Sequence, residues 1–135
     1  MLEQHLTQMA RDLEMESAPG KDETGMYTLH INPERTIALK ELDPGCLFFA
    51  RIGPCPDKNQ EQMYMYLMRG NFLGQGTGGG VLAIDDNEKF LTLTLTMPYD
   101  INYKNFKETL EDFVNFADYW RQELLAHQKM DAVLT

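Results

Sequence analysis

A glycine-rich run from Gly74 to Gly80 is the one stretch of this sequence whose spelling is associated with nucleotide chemistry. Gly74, Gly76 and Gly79 fit the G-x-G-x-x-G pattern, which requires a preceding strand and a following helix whose N-terminus binds the pyrophosphate. Here a predicted helix precedes the run and a predicted strand follows it, and no Lys-Ser or Lys-Thr completes a phosphate-binding loop. We therefore expect the glycines to allow positive φ angles and close backbone approach.

Two cysteines, Cys46 and Cys55, and three histidines, His5, His30 and His127, are the other residues suited to catalysis or metal binding. No Cys or His near the cysteines completes the four ligands of a zinc site. Neither thiol has a neighbouring base that would lower its pKa, and each histidine falls in a different predicted element. The sequence therefore predicts no catalytic residue, no metal site and no cofactor.

The charge balance points away from nucleic acids and anionic membranes. The 135 residues include 21 Asp and Glu against 12 Lys and Arg, which gives a net charge of -9 and a pI near 4.7. Such partners are bound through Lys and Arg that neutralise phosphate groups, so this acid excess disfavours them. No stretch reaches the length of an apolar membrane helix, and the N-terminus lacks the apolar core of a secretory signal. We expect one cytoplasmic domain over residues 1–135.

Two periodicities alternate along the chain and define its predicted elements. Apolar residues at helical spacing predict helices, and period-two alternation, clearest in residues 90–97, predicts strands. The elements are a helix with an apolar stripe at Leu2, Leu6, Met9, Ala10 and Leu13, strands 26–31, 36–42 and 46–52, a helix 60–72, strands 81–84 and 90–97, and a helix 103–128. Short turns favour antiparallel pairing. The sequence predicts an α+β fold in the order α-β-β-β-α-β-β-α, with a core over residues 1–128 and a flexible tail over residues 129–135.

The second predicted helix carries more apolar residues than one sheet can cover. It follows the segment Gly53 to Asp57, which we expect to break the sheet. A helix on a single sheet needs one apolar stripe, whereas these residues wrap more than one face, and several are flexible methionines that suit apolar partners. We therefore expect a second contact surface, with candidates Met63, Tyr64, Met65, Tyr66, Leu67, Met68, Phe72 and Leu73.

Five segments follow one another in a specific order between Ile52 and the third predicted helix. They are Ile52-Gly53-Pro54 with Pro56, Leu67-Met68-Arg69-Gly70-Asn71, the run Gly74 to Gly80, Val81-Leu82-Ala83-Ile84-Asp85, and Leu93-Thr94-Leu95-Thr96-Met97-Pro98-Tyr99-Asp100. In this order, and with a long helix after them, they resemble the class I type III secretion chaperones, also called the Tir chaperone family. The resemblance covers nearly the whole chain, and none of the segments is a catalytic signature.

This resemblance implies an acidic protein of the bacterial cytoplasm that has no enzymatic activity and needs no cofactor. It implies binding to the N-terminal segment of a secreted effector or gatekeeper protein, which is kept soluble, non-globular and secretion-competent. In the family the second helix and the strand after the glycine run form a homodimer or heterodimer contact, which here implies Met63, Tyr66, Leu67, Phe72, Leu73 and Leu82. Effector segments lie along the sheet and the first helix, which implies contacts at Leu2, Leu6, Met9, Leu29, Ile31, Leu47 and Phe49.

Two other functions stay open at this point. A protein of the same fold could regulate gene expression by binding a transcription factor or an RNA polymerase component. It would act through protein contact, because the net charge of -9 disfavours direct DNA binding. A small enzyme that uses Gly74 to Gly80 as a ligand loop is the more remote alternative.

Overall fold

The computed structural model describes residues 1–32, 35–87 and 89–134, without the side chains of residues 32 and 130–134. Its elements are α1 (Leu2–Asp12), β1 (Met26–Asn32), β2 (Arg35–Glu41), β3 (Cys46–Pro54), α2 (Gln60–Asn71), β4 (Val81–Ile84), β5 (Phe90–Met97) and α3 (Tyr103–Leu134), with a 3-10 turn (Phe72–Gly74) after α2. The predicted α+β class and order of elements are confirmed.

The strands form one antiparallel sheet in the order β1-β2-β3-β5-β4. Consecutive strands β1 to β3 are neighbours, and α2 with the glycine-rich run carries the chain past β5 to β4. β1 and β4 are therefore the two edges of the sheet. An edge strand presents unpaired N–H and C=O groups, so an additional strand can pair with an edge only where no other part of the chain covers these groups.

The two faces of the sheet differ in burial because successive side chains of a strand point to opposite sides. Phe48 of β3 is fully buried, and its ring lies 5.7 Å from the ring of Phe106 and 5.6 Å from that of Phe113 in α3, centroid to centroid. On the opposite face, Ala38 of β2 and Phe49 of β3 are direct cross-strand neighbours, and both stay partly exposed. The face under α3 is the core, and the other face is accessible.

α1 buries the predicted apolar stripe against this core, except at its last member. Leu2, Leu6, Met9 and Ala10 are buried. Leu13 is 58% exposed because α1 ends at Asp12 and Leu13 forms its C-cap outside the helical register. The prediction that Leu13 continues the buried stripe is therefore wrong.

Glu41, at the end of β2, holds the start of α1 against the sheet. Its Oε1 accepts the backbone N–H of Leu2 at 3.0 Å, and this hydrogen bond is the largest cause that lowers the pKa of the Glu41 carboxyl. We expect Glu41→Ala to lower the free energy of unfolding by about 0.5–1 kcal/mol near neutral pH, the low end for a helix cap because the carboxylate is partly exposed.

The pH dependence of this contribution follows from the direction of the pKa shift. Because the folded pKa lies below the ordinary value of 4.5, the stabilisation by Glu41 is present above that value and is lost as the pH falls through the folded pKa. Urea unfolding of Glu41→Ala and the unsubstituted chain, at neutral pH and at about pH 3, measures the difference. A difference that stays undiminished in acid would contradict this assignment.

β3 runs on to Pro54, so the strand ends within the predicted breaking segment Gly53 to Asp57, two residues later than the predicted end at Ile52. A register shift between Arg51 and Gly53 forms a bulge, after which Gly53 pairs with Leu91 of β5. A bulge admits glycine, and a strand end admits proline, without loss of ladder hydrogen bonds elsewhere. A Cβ at Gly53 would lie 2.7 Å from Cδ2 of Leu124, so the bulge also lets α3 approach the sheet closely.

α3 is longer than the sequence predicted. It ends at Leu134 and not at Gln128, so residues 129–134 continue the helix. The flexibility predicted for residues 129–135 stays a prediction, and Thr135 lies outside the described residues. The apolar side of α3 is buried as its period predicts, at Phe106, Leu110, Phe113, Ala117, Trp120 and Leu124.

The glycine-rich run forms a packed loop between α2 and α3. Positive φ angles occur at three of its glycines, Gly74, Gly78 and Gly79. A Cβ at Gly76 would lie 2.8 Å from Cα of Gly70 in α2, and the indole N–H of Trp120 donates to the carbonyl oxygen of Gly76 at 2.9 Å. The expectation that these glycines serve backbone conformation and close approach is confirmed.

Candidate protein-binding surfaces

The two cysteine thiols do not form a reactive site. Cys46 is buried in the core, and burial, with the nearby charges of Asp100 and Glu41, raises the pKa of its thiol to about 11. A thiol with so high a pKa stays protonated and is a poor nucleophile. Cys55 is half-buried, and no disulfide joins the two.

The histidines are not brought together. Nε2 of His5 lies 2.8 Å from the carbonyl oxygen of Ile101, and the His5 ring stacks on Phe106 at 5.0 Å. His30, on β1, has Nδ1 3.3 Å from Oγ1 of Thr36. In the part of the chain that the structure describes, no three His, Cys, Asp or Glu side chains are placed to hold a metal ion.

The outer side of α2 and the strand beside it carry several exposed apolar side chains, which we call the α2 surface. Met68, Phe72 and Leu73 are 72%, 65% and 78% exposed. Large exposed apolar patches of this kind mark contact sites in soluble proteins. The α2 surface consists of Met65, Met68, Phe72, Leu73, Val81 and Ile84.

Leu73 is held in a backbone conformation that leucine rarely adopts. Its φ of 53° and ψ of 20° lie in the left-handed region, which is unfavourable for a residue with a Cβ. The adjacent Gly74 also has a positive φ, so the two residues turn the chain sharply out of α2. This turn places the Leu73 side chain at the surface, although the side chain gains little burial there within the chain.

The outer edge of β4 is closed by a side chain. The Asn71 amide donates to the carbonyl oxygen of Leu82 at 2.8 Å, and its oxygen accepts the N–H of Leu82 at 2.7 Å. These contacts occupy the backbone groups that another strand would need. β4 is therefore protected against strand addition at Leu82.

The residues predicted for the dimer contact separate into two layers. Phe72 and Leu73 are exposed on the α2 surface, and Tyr66 is half-buried, with its hydroxyl 2.7 Å from that of Tyr119. The other three face the chain's own core and support α2 and β4 from beneath; they are Met63, Leu67 and Leu82. The sequence predicts no role for Val81, Ile84 or Asn71, and it indicates Met65 and Met68 only as candidates for a second contact surface.

β1 borders a cavity that we call the β1 groove. It has a volume of about 570 Å³ and lies between β1, the end of α1 and the middle of α3. Lys21 bridges β1 at Tyr27, whereas Leu29 to Ile31 has no strand beside it on the outer edge in the described part of the chain. The apolar residues that line the β1 groove are Met9, Leu13, Met15, Leu29, Ile31, Leu110 and Val114.

A second cavity, the sheet groove, lies on the accessible face of the sheet. It has a volume of about 530 Å³ and is bounded by β1, β2, β3, the start of β5 and residues 121–128 of α3. Its apolar lining includes Ala38, Phe49, Phe90, Leu124 and Leu125, and its charged lining residues are Arg51 and Arg121.

The residues predicted for effector contact are also divided by burial. Ile31 is exposed, and Leu47 and Phe49 are half-buried on the accessible face. The others are Leu2, Leu6, Met9 and Leu29, which are buried; Met9 and Leu29 border the β1 groove, while Leu2 and Leu6 lie within the core. The effector-contact prediction did not include Leu13, Val114 or Leu125, which line the grooves. Leu13 was predicted only as part of the apolar stripe of the first helix.

A sequence model of the Tir chaperone protein (CesT) family matches residues 4–121, from α1 to the third quarter of α3. The chain belongs to the Tir chaperone family. This confirms the family that the ordered segments between Ile52 and α3 predicted, and it makes the chain a chaperone of the type III secretion class.

Individual relatives of this Tir chaperone agree with the family assignment. A Chlamydia pneumoniae protein is 28% identical over 126 residues, which are 92% of this chain and 96% of the relative. A chain of the HopA1-SchA chaperone-effector complex has the same fold, with a TM-score of 0.69 at 16% identity, over 90% of this chain and 93% of that one. A structure of the Yersinia pestis type III secretion chaperone SycH with a stable fragment of YscM2 matches with a TM-score of 0.63 at 20% identity, over 89% and 99% of the two chains.

Among the described residues of this Tir chaperone, no helix is both long enough and apolar enough to cross a bilayer.

Proposed function

We propose that this Tir chaperone binds the N-terminal segment of a secreted effector or gatekeeper protein in the bacterial cytoplasm and keeps it soluble, non-globular and competent for secretion. The observation that carries the proposal is the pair of open apolar grooves beside an uncovered sheet edge, in a member of a chaperone family. A related structure is itself a chaperone-effector complex. The chaperone acts by binding alone, without a catalytic step.

The client segment binds in an extended form. The outer edge of β1 at Leu29 to Ile31 offers backbone hydrogen bonds to an added strand, whereas β4 is closed by Asn71. Alternate side chains of such a strand point to opposite sides, so apolar client residues reach the β1 groove. The sheet groove then takes a further apolar part of the client beside Phe49.

The chaperone is a dimer that associates through the α2 surface. A two-fold contact brings the same patch of both copies together, and the exposed Met68, Phe72 and Leu73 provide apolar area for it. The left-handed Leu73 supports this role, since strained residues persist where a function requires them. The partner is a second copy or a related chaperone.

Phe49→Asp tests the client proposal, because it puts a carboxylate on the floor of the sheet groove without entering the core. Loss of one large apolar contact lowers client affinity by about 10- to 100-fold. The measurement is co-expression with tagged N-terminal segments of secreted proteins from the same bacterium, followed by quantification of the soluble complex. Circular dichroism checks that the fold is retained.

Tyr99→Asp is the matched control, since Tyr99 is an exposed aromatic residue outside both grooves. It should leave recovery of the complex unchanged. Equal recovery with Phe49→Asp and with the unsubstituted chain would show that the sheet groove is not a client site. Recovery of transcription machinery without any secreted protein would instead favour the regulatory function.

A further inference from the structure

One end of the sheet groove is positively charged in an otherwise acidic chain. The net charge is -9, yet the charged residues that line this groove are Arg51 and Arg121. Arg35 lies beside Arg121 and binds Asp118 through two guanidinium nitrogens, and Arg121 donates to the same carboxylate at 3.3 Å. Two guanidinium groups therefore share the carboxylate of Asp118, and with Arg51 the local charge is +2 among the described residues.

Arg51 is the arginine of this cluster whose guanidinium N–H groups are available to a ligand. Arg121 is committed to Asp118 and to the backbone oxygen of Arg51, which it meets at 3.1 Å. The guanidinium of Arg51 is exposed, lies 4.2 Å from the centroid of the Phe90 ring, and pairs with no carboxylate in the described part of the chain. Stacking on an aromatic face fixes a guanidinium while its N–H edge stays open to a ligand.

Positive charge is crowded at this end of the groove. Burial and the nearby charge of Arg35 both lower the pKa of the Arg121 guanidinium, with burial the larger cause. An incoming carboxylate would offset the repulsion between these groups. A neutral or basic side chain would not.

We propose that the sheet groove selects client segments in which an apolar residue and an Asp or Glu lie two positions apart. Phe49 and Arg51 lie two positions apart on β3 and point to the same face, roughly 7 Å apart along the strand. An extended client has the same repeat, so its apolar side chain meets Ala38 and Phe49 while its carboxylate binds Arg51. This inference rests on the proposed client binding and adds a preference for acidic side chains.

Two synthetic peptides test the preference. They share one extended Gly/Ser/Leu sequence and differ only in a central Leu-Ser-Glu or Leu-Ser-Lys, and their binding to the full chain is measured by fluorescence anisotropy. The glutamate peptide is expected to bind roughly five- to tenfold tighter, with the advantage shrinking at high salt. The net charge of -9 favours the lysine peptide, so this order requires a local source of positive charge.

Arg51→Glu is expected to abolish or reverse the preference. Arg11→Glu is the matched control: it makes the same change in net charge on an exposed side of α1, outside the sheet groove, and should leave the preference intact. Phe49→Ala should weaken both peptides about equally, because it removes the apolar contact without adding charge beside Arg51, and it reports the apolar part of the site separately.

Three results would overturn the proposal. Equal affinity for the two peptides, or a preference that survives in Arg51→Glu, removes the role of the arginines. If Phe49→Ala still weakens both peptides in that case, the proposed client function stands and the acidic preference alone fails. Binding of neither peptide removes both the preference and the client role of the sheet groove.

Discussion

Leu73→Asp should convert the proposed dimer into a monomer. The side chain is 78% exposed within one chain, so the substitution leaves the core untouched. In a two-fold interface every residue occurs twice, and the change removes two leucines and places two carboxylates on an apolar contact. Burial of a leucine contributes about 1.5–3 kcal/mol, so the loss of two corresponds to a dissociation constant at least about 100-fold weaker.

The left-handed backbone at Leu73 makes this prediction sharper. Aspartate and asparagine tolerate the left-handed region better than leucine does, so Leu73→Asp and Leu73→Asn both relax local strain in the folded chain. We therefore expect association to weaken while each chain keeps its stability. A substitution that merely damaged the fold would lower both.

Analytical ultracentrifugation and light scattering over a concentration series measure the association. Leu13→Asp is the matched control, because Leu13 is also an exposed leucine but lies at the end of α1, away from the α2 surface. It should leave the dimer intact. A Leu73→Asp protein that stays dimeric would place the interface elsewhere on the chain.

The sequence predicted the elements whose period is regular. β5 alternates apolar residues with threonines, and α3 repeats its apolar residues at helical spacing, so burial follows directly from position. α1 follows the same rule up to Leu13, where the helix ends and the period no longer decides which way the side chain points. The spacing of apolar residues therefore predicts burial only within the helix or strand itself and not beyond its last residue.

The division of the apolar residues of α2 into buried and exposed ones could not be predicted in the same way. Apolar residues surround much of this helix, so the helical period puts Met63 and Leu67 on one face and Met65 and Met68 on another without indicating which face is buried. Packing against β4 and α3 makes that distinction. The surplus of apolar residues was a correct signal of a second surface, but its members are decided by tertiary structure.

The protected edge of β4 left no pattern in the sequence at all. One amide, that of Asn71, satisfies both backbone groups of Leu82, eleven positions further along the chain. A single polar residue at a helix end is read as part of the turn, and only the folded arrangement reveals that it closes a sheet edge. The difference between the covered β4 and the uncovered part of β1 is therefore a structural finding.

Trp120→Ala should cause the largest loss of stability among these substitutions. Trp120 is 1% exposed, and its indole N–H donates to the carbonyl oxygen of Gly76. A Cβ at Gly70 would lie 2.4 Å from Cζ2 of the ring, so α2 approaches the indole as closely as glycine allows. Truncation leaves a large cavity and an unsatisfied carbonyl, which together cost about 3–5 kcal/mol, a large part of a typical total of about 5–15 kcal/mol.

Urea unfolding monitored by circular dichroism measures this loss. Tryptophan fluorescence is unsuitable, because Trp120 is the chain's one tryptophan. Leu125→Ala, at a half-exposed position on the same helix, should cost less than about 1 kcal/mol. A Trp120→Ala protein as stable as that control would contradict the packing described here. Trp120→Phe separates the two causes, since it retains part of the ring volume but leaves the Gly76 carbonyl oxygen without its donor.

Trp120→Ala should also weaken association of the chains, because the indole supports the part of the chain that carries the α2 surface. The Trp120 ring contacts Tyr66 of α2 at 5.1 Å between ring centroids and, through Gly76, fixes the loop that leads from Leu73 into β4. Without the indole, Phe72 and Leu73 lose the support that holds them in one conformation, and ordering them on binding costs additional entropy. Trp120→Ala should therefore lower both the stability and the fraction of dimer, whereas Leu73→Asp lowers the fraction of dimer alone.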